Sequence, residues 1–88
     1  MITTSRYCSQ PVKDLARNYS VLLNINYLSR GKKTIEQLAR QARRAGAERL
    51  IIVKEEHGKP RALDIISVNE LSEWKWLDSI GIAYENEI

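Results

Sequence analysis

The run at residues 50–53, which reads Leu-Ile-Ile-Val, constrains the fold more than any other stretch of this chain. A strand with one face in water alternates apolar and polar side chains, whereas an uninterrupted apolar run is typical of a strand covered on both faces. The chain also carries two segments with helical periodicity that can provide this cover. The sequence therefore predicts an α/β domain with two or three layers, built from a small mixed sheet and two helices.

The first helix is predicted from an apolar periodicity that begins at Val12. Apolar side chains recur at helical spacing over three turns, as far as residues 22–23. Pro11 falls in the first turn, where its missing N–H is harmless. Either Ser9 or Gln10 is then the residue that caps the helix.

The second helix is predicted from residue 35 to about residue 45. Thr34 and Gln37 have the spacing of a capping box, and Gly46 is placed to end the helix. A basic turn at residues 29–33 precedes the cap. Because a helix N-terminus presents free N–H groups and a partial positive charge, this turn is a candidate place for a phosphate. A solvated basic turn is the alternative interpretation.

Strands are predicted at residues 2–5, 24–28, 50–53 and 62–68. The order is therefore strand–helix–strand–helix–strand–strand, with a hairpin at residues 57–60 between the last two strands. In the second strand, polar and apolar side chains alternate, which predicts one polar face.

The segment after residue 70 fits two structures. Leu71, Trp74 and Leu77 would share one helical face, but Trp74 and Trp76 alternate with charged residues, which favours a strand from about Trp74 to Ile80. The two tryptophans are either the main packing volume of a thin core or a contact surface for another chain, and a partner contact is predicted at Trp74 and Trp76.

Charge is distributed unevenly along the chain. Residues 1–61 hold 13 of the 14 lysines and arginines with five acids, and residues 62–88 hold one lysine with six acids. A basic body with an acidic C-terminal segment predicts a polyanionic partner, and a basic protein partner for the acidic segment. Plain solubility is the alternative explanation.

Several functional classes are disfavoured by the residues present. His57 is the single histidine and lies in a turn, and the single cysteine, Cys8, has no catalytic partner motif. The sequence therefore predicts no enzyme, no metal site and no cofactor. One cysteine and the lack of a long apolar run predict a cytoplasmic protein. The length of 88 residues predicts one domain, residues 1–88.

In order along residues 2–66, the chain resembles the N-terminal half of the Brix domain, a family that includes Imp-four-like ribosome-assembly factors. The matching residues are Ile2-Thr3-Thr4-Ser5-Arg6, Ser9, Arg30-Gly31, Leu50-Ile51-Ile52-Val53, Glu55 and Glu56, Gly58, Pro60 and Leu63-x-Ile65. The resemblance implies an α/β fold of two similar halves, each like the anticodon-binding domain of certain aminoacyl-tRNA synthetases. It also implies non-catalytic binding of ribosomal RNA or its precursors during subunit assembly, and a short version of the archaeal kind.

The chain departs from the family pattern in two ways. Where the family commonly continues with Leu-Pro-x-Gly-Pro-Thr, residues 67–72 read Ser-Val-Asn-Glu-Leu-Ser, and a second half of the domain does not follow. One hypothesis is a homodimer that restores the second half, with the tryptophan segment in or near the contact. A self-sufficient half domain and a truncated gene product are the alternatives.

Two functions are predicted from these features. In the first, a basic face binds structured RNA through phosphates, by shape and backbone. Few aromatic residues lie among the cations, so a base-stacking platform for single strands is not indicated, and Tyr7 and Tyr27 are the only candidates for one. The predicted RNA-binding residues share a positive charge, a hydroxyl group or a place in the basic turn: Thr3, Thr4, Ser5, Arg6, Lys13, Arg17, Arg30, Gly31, Lys32, Lys33, Arg40, Arg43 and Arg44. In the second, the protein is an adaptor that docks ribosomal proteins or assembly factors through its acidic, tryptophan-containing segment.

Overall fold

A computed structural model describes residues 1–82. The elements, in chain order, are strand β1 (Ile2–Thr4), helix α1 (Gln10–Leu23), helix α2 (Ile35–Arg44), and strands β2 (Arg49–Glu56), β3 (Lys59–Val68) and β4 (Trp74–Gly81). The predicted fold class, a small mixed sheet with two helices, is confirmed, and so is the strand after residue 70. Residues 83–88, which carry two of the six acids of the acidic segment, lie outside the described residues.

The sheet has the order β1-β2-β3-β4. β1 pairs with β2 in parallel, and the other two pairings are antiparallel. In this register Ile2 lies beside Ile51, and Leu50 lies beside Ile66. Because successive residues of a strand face opposite sides, residues 50–53 send side chains into both faces of the sheet, as the apolar run predicted.

One helix covers each face of the sheet, so the fold has three layers. Val12 and Ala16 of α1 pack with Ile2 and Val53 on one face. On the other face, Leu38 of α2 packs against a second group of strand residues: Leu50, Ile52 and Ile66. All three residues of β1 are buried, so this short strand at the edge of the sheet is covered on both faces.

The prediction of a strand at residues 24–28 is wrong. This segment makes one isolated parallel bridge, between Tyr27 and Ile2, on the free side of β1. Two main-chain hydrogen bonds, Ile2 N–H to Asn26 O and Leu28 N–H to Ile2 O, each 2.8 Å, hold it there. Asn24 already adopts a left-handed conformation with φ 54° to end α1, so the segment has too few extended residues to pair further with the three-residue β1.

Two other predictions about local structure need correction. The apolar face of α1 was expected to include residues 22–23, but Leu22 and Leu23 are 78% and 56% exposed. The last turn of α1 projects past the short strand β1, so no sheet lies beneath it. The hairpin between β2 and β3 is also tighter than predicted, because His57 and Gly58, with φ 53° and 78°, form a two-residue turn.

The capping box of α2 is confirmed. The Thr34 hydroxyl accepts from the main-chain N–H of Gln37 at 3.2 Å, and the Gln37 side chain accepts from the N–H of Thr34 at 2.8 Å. At α1 the cap residue is Ser9, but its side chain makes no capping hydrogen bond. Neither helix within residues 1–82 has the length and apolarity that a membrane crossing requires.

Candidate nucleic-acid interface

Arg30 is the centre of the candidate interface. This residue is only 9% exposed and lies past the carboxyl end of β1. Its Nε donates to the carbonyl oxygen of Lys33 at 2.8 Å, and its Nη1 donates to the carbonyl oxygen of Thr4 at 3.0 Å. Both acceptors are uncharged, so the hydrogen bonds orient the guanidinium without neutralising it.

The surroundings of Arg30 disfavour its positive charge. Burial lowers the pKa of Arg30 below its usual value, Arg6 lowers it further by repulsion, and Cys8 opposes these two effects. Within residues 1–82 the ion pairs are Lys54–Asp64 at 3.4 Å and Arg61–Glu56 at 3.2 Å, and neither includes Arg30. Because buried charges in proteins are normally paired, a guanidinium of this kind is suited to an external anion.

A pocket of about 290 Å³ opens on one side of Arg30. Lys13 of α1 and Lys32 of the basic turn line it together with Arg30, and Tyr7 and Tyr27 belong to the lining as well. Ser5 and Ser29 add neutral polar residues to the lining. We call this cavity the tyrosine pocket.

A second pocket, of about 540 Å³, opens on the α2 side of the sheet. Its lining residues include the N-terminus of α2, Ser5, Arg6, Arg30, Lys54 and Trp76. The acid that faces this pocket, Asp64, is already engaged by Lys54 and by the Ser79 hydroxyl, which donates to it at 2.7 Å. We call this cavity the tryptophan pocket, and it shares Ser5 and Arg30 with the tyrosine pocket.

A shallow groove on the outer face of α2 extends the basic surface. Lys33, Arg40 and Arg44 line this groove together with two glutamines. We call it the arginine groove. Lys33 joins it to the pockets, because the Lys33 carbonyl accepts hydrogen bonds from both Arg30 and Arg6, the latter at 3.4 Å. The turn itself is held by the Lys33 ammonium, which donates to the Ser29 carbonyl at 3.1 Å.

The structure therefore brings together most of the predicted cations around the carboxyl end of β1. Gly31 lines the tyrosine pocket and has φ 54°, a left-handed conformation that glycine tolerates without strain. Arg17 lies next to this pocket, with its guanidinium carbon 5.3 Å from the centre of the Tyr27 ring.

Three predicted residues have a different placement. Arg43 is half-buried and does not line the arginine groove, because it lies about 100° around the helix from Arg44. Thr3 is fully buried, so it presents no surface to a polymer. Thr4 is 1% exposed and accepts a hydrogen bond from Cys8 Sγ at 3.1 Å, so its side chain supports the tyrosine pocket from within.

The two tryptophans occupy different environments. Trp74 packs partly buried against the core residues under α2, and Trp76 is 54% exposed beside the tryptophan pocket. Their rings meet edge to face with centroids 5.6 Å apart. Trp74 therefore contributes to the core, whereas Trp76 lies on the surface, and a partner contact at either residue stays a prediction.

Sequence reasoning missed Lys54. It named Tyr7 and Tyr27 as the only candidates for base stacking but did not place them in one pocket with the cations. Lys54 directly follows the apolar run at residues 50–53, so its position at the carboxyl end of a strand was a usable signal. The two tyrosines are 20 positions apart, and nothing local in the sequence indicates that they share a pocket.

Comparison with known proteins gives relatives along the whole chain. A probable Brix domain-containing ribosomal biogenesis protein of Pyrococcus horikoshii is 35% identical over 92 aligned positions, which cover 100% of this chain and 41% of the relative. A protein of the same description from Thermococcus kodakarensis is 33% identical, with 44% of its length covered. The chain thus spans less than half the length of the curated relatives it matches. No family model matches the chain.

Solved structures show the same fold. A probable ribosomal biogenesis protein from Aeropyrum pernix K1 superposes with a TM-score of 0.89 at 26% identity, covering 94% of this chain and 47% of that one. Mil, an archaeal Imp4-like protein, superposes with a TM-score of 0.70 at 26% identity, covering 83% of this chain and 45% of its own. The resemblance predicted from the sequence is confirmed by these matches.

Proposed function

We propose that this chain, a relative of the Brix domain-containing ribosomal biogenesis proteins, acts in ribosome biogenesis by binding ribosomal RNA or its precursors without catalysis. The names of the relatives support the process, and the basic surface supports the ligand. One observation carries the RNA-binding part of the proposal, namely a buried Arg30 between two cation-lined pockets with no carboxylate paired to it within residues 1–82.

The proposed mode of binding follows from the shape of the surface. Lys13, Arg30 and Lys32 on one side of β1, and Lys33, Arg40 and Arg44 along α2, offer phosphate contacts over a curved surface rather than on one projecting helix. The major groove of A-form RNA is too narrow for such side chains to read, so recognition rests on backbone shape and on unpaired regions.

A matched pair of charge-reversed proteins tests this proposal. Arg40→Glu with Arg44→Glu changes the arginine groove, and Arg49→Glu with Lys75→Glu makes the same charge change at the opposite end of the sheet, where both residues pair with Ser67. Filter binding to ribosomal RNA fragments at two salt concentrations should show a loss of about tenfold or more, and a shallower salt dependence, only for the first protein. Equal losses in both proteins, or wild-type binding that does not change with salt, would contradict the proposal.

The adaptor function is the second candidate, and one observation favours it. β4 is the outermost strand of the described sheet, and three large apolar side chains are exposed along it: Trp76 at 54%, Leu77 at 45% and Ile80 at 47%. Exposed apolar strands at a sheet edge are typical of protein contacts. If the adaptor function is the correct one, RNA binding is incidental and the Arg40→Glu, Arg44→Glu protein retains its partner.

The partner proposed for β4 is a second copy of this chain. The resemblance implies two similar halves, and two β4 strands paired about a two-fold axis would extend the sheet across both copies. Light scattering at high micromolar concentration should give about twice the 10.1 kDa of one chain, and Leu77→Lys should return the mass to that of a monomer because a charge on an edge strand blocks pairing. A wild-type monomer at that concentration would exclude the dimer.

A further inference from the structure

The tyrosine pocket combines an anion site with two aromatic rings, which is more than phosphate binding requires. Arg30, Lys13 and Lys32 supply the positive charge, and Tyr7 and Tyr27 line the same cavity. Its volume of about 290 Å³ is at the small end of the range for organic ligands. Duplex RNA needs only backbone contacts, so the rings indicate a ligand with a flat apolar part.

Tyr7 has the less usual conformation of the two tyrosines. Its φ of 55° lies in the left-handed region, which large side chains adopt only against a steric cost, and its side chain is 79% exposed. No burial of the ring accounts for this backbone conformation. Tyr7 lies in the turn between β1 and α1, and this turn places the residue at the pocket.

Tyr27 is held in place from behind. The Arg17 guanidinium lies over its ring at 5.3 Å from the centroid, and the segment that carries Tyr27 is bridged to Ile2 of β1. One face of this ring is therefore occupied by a cation, and the ring as a whole is positioned at the pocket before any ligand arrives. Such preorganisation lowers the cost of ordering on binding.

We infer that the tyrosine pocket binds a single unpaired nucleotide of an RNA, with its phosphate at Arg30 and Lys32 and its base against Tyr7 and Tyr27. A base within an A-form stem is stacked between its neighbours and cannot enter a cavity, whereas bases of bulges, loops and single strands can be splayed out onto aromatic rings. The inference rests on the proposed RNA-binding function and names the structural class of RNA that this surface selects.

Two RNAs that differ by one nucleotide provide the test. The first is a fully paired stem closed by a short loop of non-nucleotide linker, and the second is the same stem with one bulged nucleotide. Wild-type protein should bind the bulged stem about tenfold more tightly, since base–aromatic contacts commonly contribute about that factor. Tyr7→Ala and Tyr27→Ala should remove this preference, so that the ratio of the two affinities falls to about one.

Two further proteins serve as controls. Leu22→Ala removes an apolar side chain with 78% exposure, similar to that of Tyr7, outside the pocket and should keep the preference. Tyr7→Phe retains the aromatic ring and should keep most of the preference for the bulged stem. If Tyr7→Ala loses the preference and Tyr7→Phe keeps it, the loss comes from the missing ring and not from unfolding. A 4-thiouridine at the bulge of the second RNA should cross-link to a peptide that contains Tyr7 or Tyr27.

The outcomes separate this inference from the proposed function. If the tyrosine variants keep the wild-type preference, or weaken both RNAs equally, the nucleotide pocket is overturned, although the salt dependence and the Arg40→Glu, Arg44→Glu result still support RNA binding. If wild-type protein binds neither RNA, the proposed function itself fails.

Discussion

The two helices of this protein begin in opposite electrostatic surroundings. At α1, the main-chain N–H of Ser9 donates to the carboxylate of Glu55, and the Ser9 hydroxyl donates to the Gly58 carbonyl at 2.8 Å. The β2–β3 hairpin thus provides an anion for the positive end of α1. At α2 the N–H groups of the first turn are capped by the uncharged side chains of Thr34 and Gln37, and Glu36 lies in the same turn. The cavity in front of α2 is lined by Arg6, Arg30 and Lys54, with Asp64 already engaged by Lys54.

The difference shows how similar local sequences acquire different functions. A helix N-terminus attracts negative charge wherever it lies. Where the chain supplies its own carboxylate, as Glu55 does for α1, that attraction stabilises the fold. At α2 the acid of the first turn, Glu36, does not line the cavity in front of the helix, so Arg6 and Arg30 there face an external anion. Four substitutions test this contrast, and their expected effects decrease from Arg30 to Lys32.

The largest effect is expected from Arg30→Ala. This change removes the two donors that satisfy the carbonyls of Thr4 and Lys33, so we expect the free energy of unfolding in urea to fall by about 2–3 kcal/mol. Arg6→Ala, which removes an exposed arginine nearby, should change it by less than about 0.5 kcal/mol. Polyphosphate should raise the unfolding midpoint of wild-type protein more than that of Arg30→Ala. An Arg30→Ala protein as stable as wild type would show that Arg30 has no structural role.

The second-largest effect is expected at the N-terminus of α1, where Glu55 accepts a hydrogen bond from Ser9. Glu55→Ala leaves the Ser9 N–H without its acceptor at the positive end of α1, and the expected loss in unfolding free energy is about 1–2 kcal/mol. Glu56→Ala on the same hairpin removes only an exposed ion pair with Arg61, so its loss should stay below about 0.5 kcal/mol. If Glu55→Ala and Glu56→Ala lose the same unfolding free energy, Glu55 has no special role at the N-terminus of α1.

Thr34→Ala tests the other helix start. Loss of the capping hydroxyl should lower the unfolding free energy by about 1 kcal/mol, because the N–H of Gln37 loses its acceptor. RNA affinity at a temperature where both proteins are folded should change little, since the cap is neutral. A large loss of affinity with unchanged stability would mean that the Thr34 hydroxyl itself contacts the ligand.

The smallest effect is expected from Lys32→Ala. The residue is exposed in the turn, so stability should not change, and the slope of log affinity against log salt should decrease by about 0.7 to 0.9, the value for one phosphate contact. Lys59→Ala, which removes an exposed lysine of the hairpin, should keep the wild-type slope. The same slope for Lys32→Ala and wild type would place Lys32 outside the interface.

The fold was largely predictable because its elements are encoded locally. The apolar run at residues 50–53 indicated a strand between two covered faces, and the capping box at Thr34 gave the start of α2 within one residue. The extended segment at residues 24–28 was predicted as a strand from its alternation, but a strand also needs a partner of matching length. β1 provides only three residues. The segment lies between the end of α1 and the basic turn, so few of its residues are free to extend along β1.

The candidate site was predictable in its charge and not in its arrangement. The sequence predicted that the cations of the basic turn and of α2 attract anions. Arg30 and Thr3 are both buried, and their burial depends on contacts between residues distant in sequence. The sequence alone does not indicate such contacts. The exposure of Leu22 and Leu23 has the same origin, because the helical period indicates which side of α1 is apolar but not how far the sheet beneath it extends.

The amino-acid sequence by itself determined the helical and extended segments, the cap of α2 and the excess of positive charge, because each depends on neighbours within a few residues along the chain. Tertiary structure alone decided which charges share a surface. The Arg30 guanidinium reaches a carbonyl 26 positions earlier, and Glu55 reaches a helix start 46 positions earlier. Such pairings follow from strand register and from the packing of a helix on each face of the sheet, and they leave the positive end of α1 closed and the cavity at α2 open to an anion.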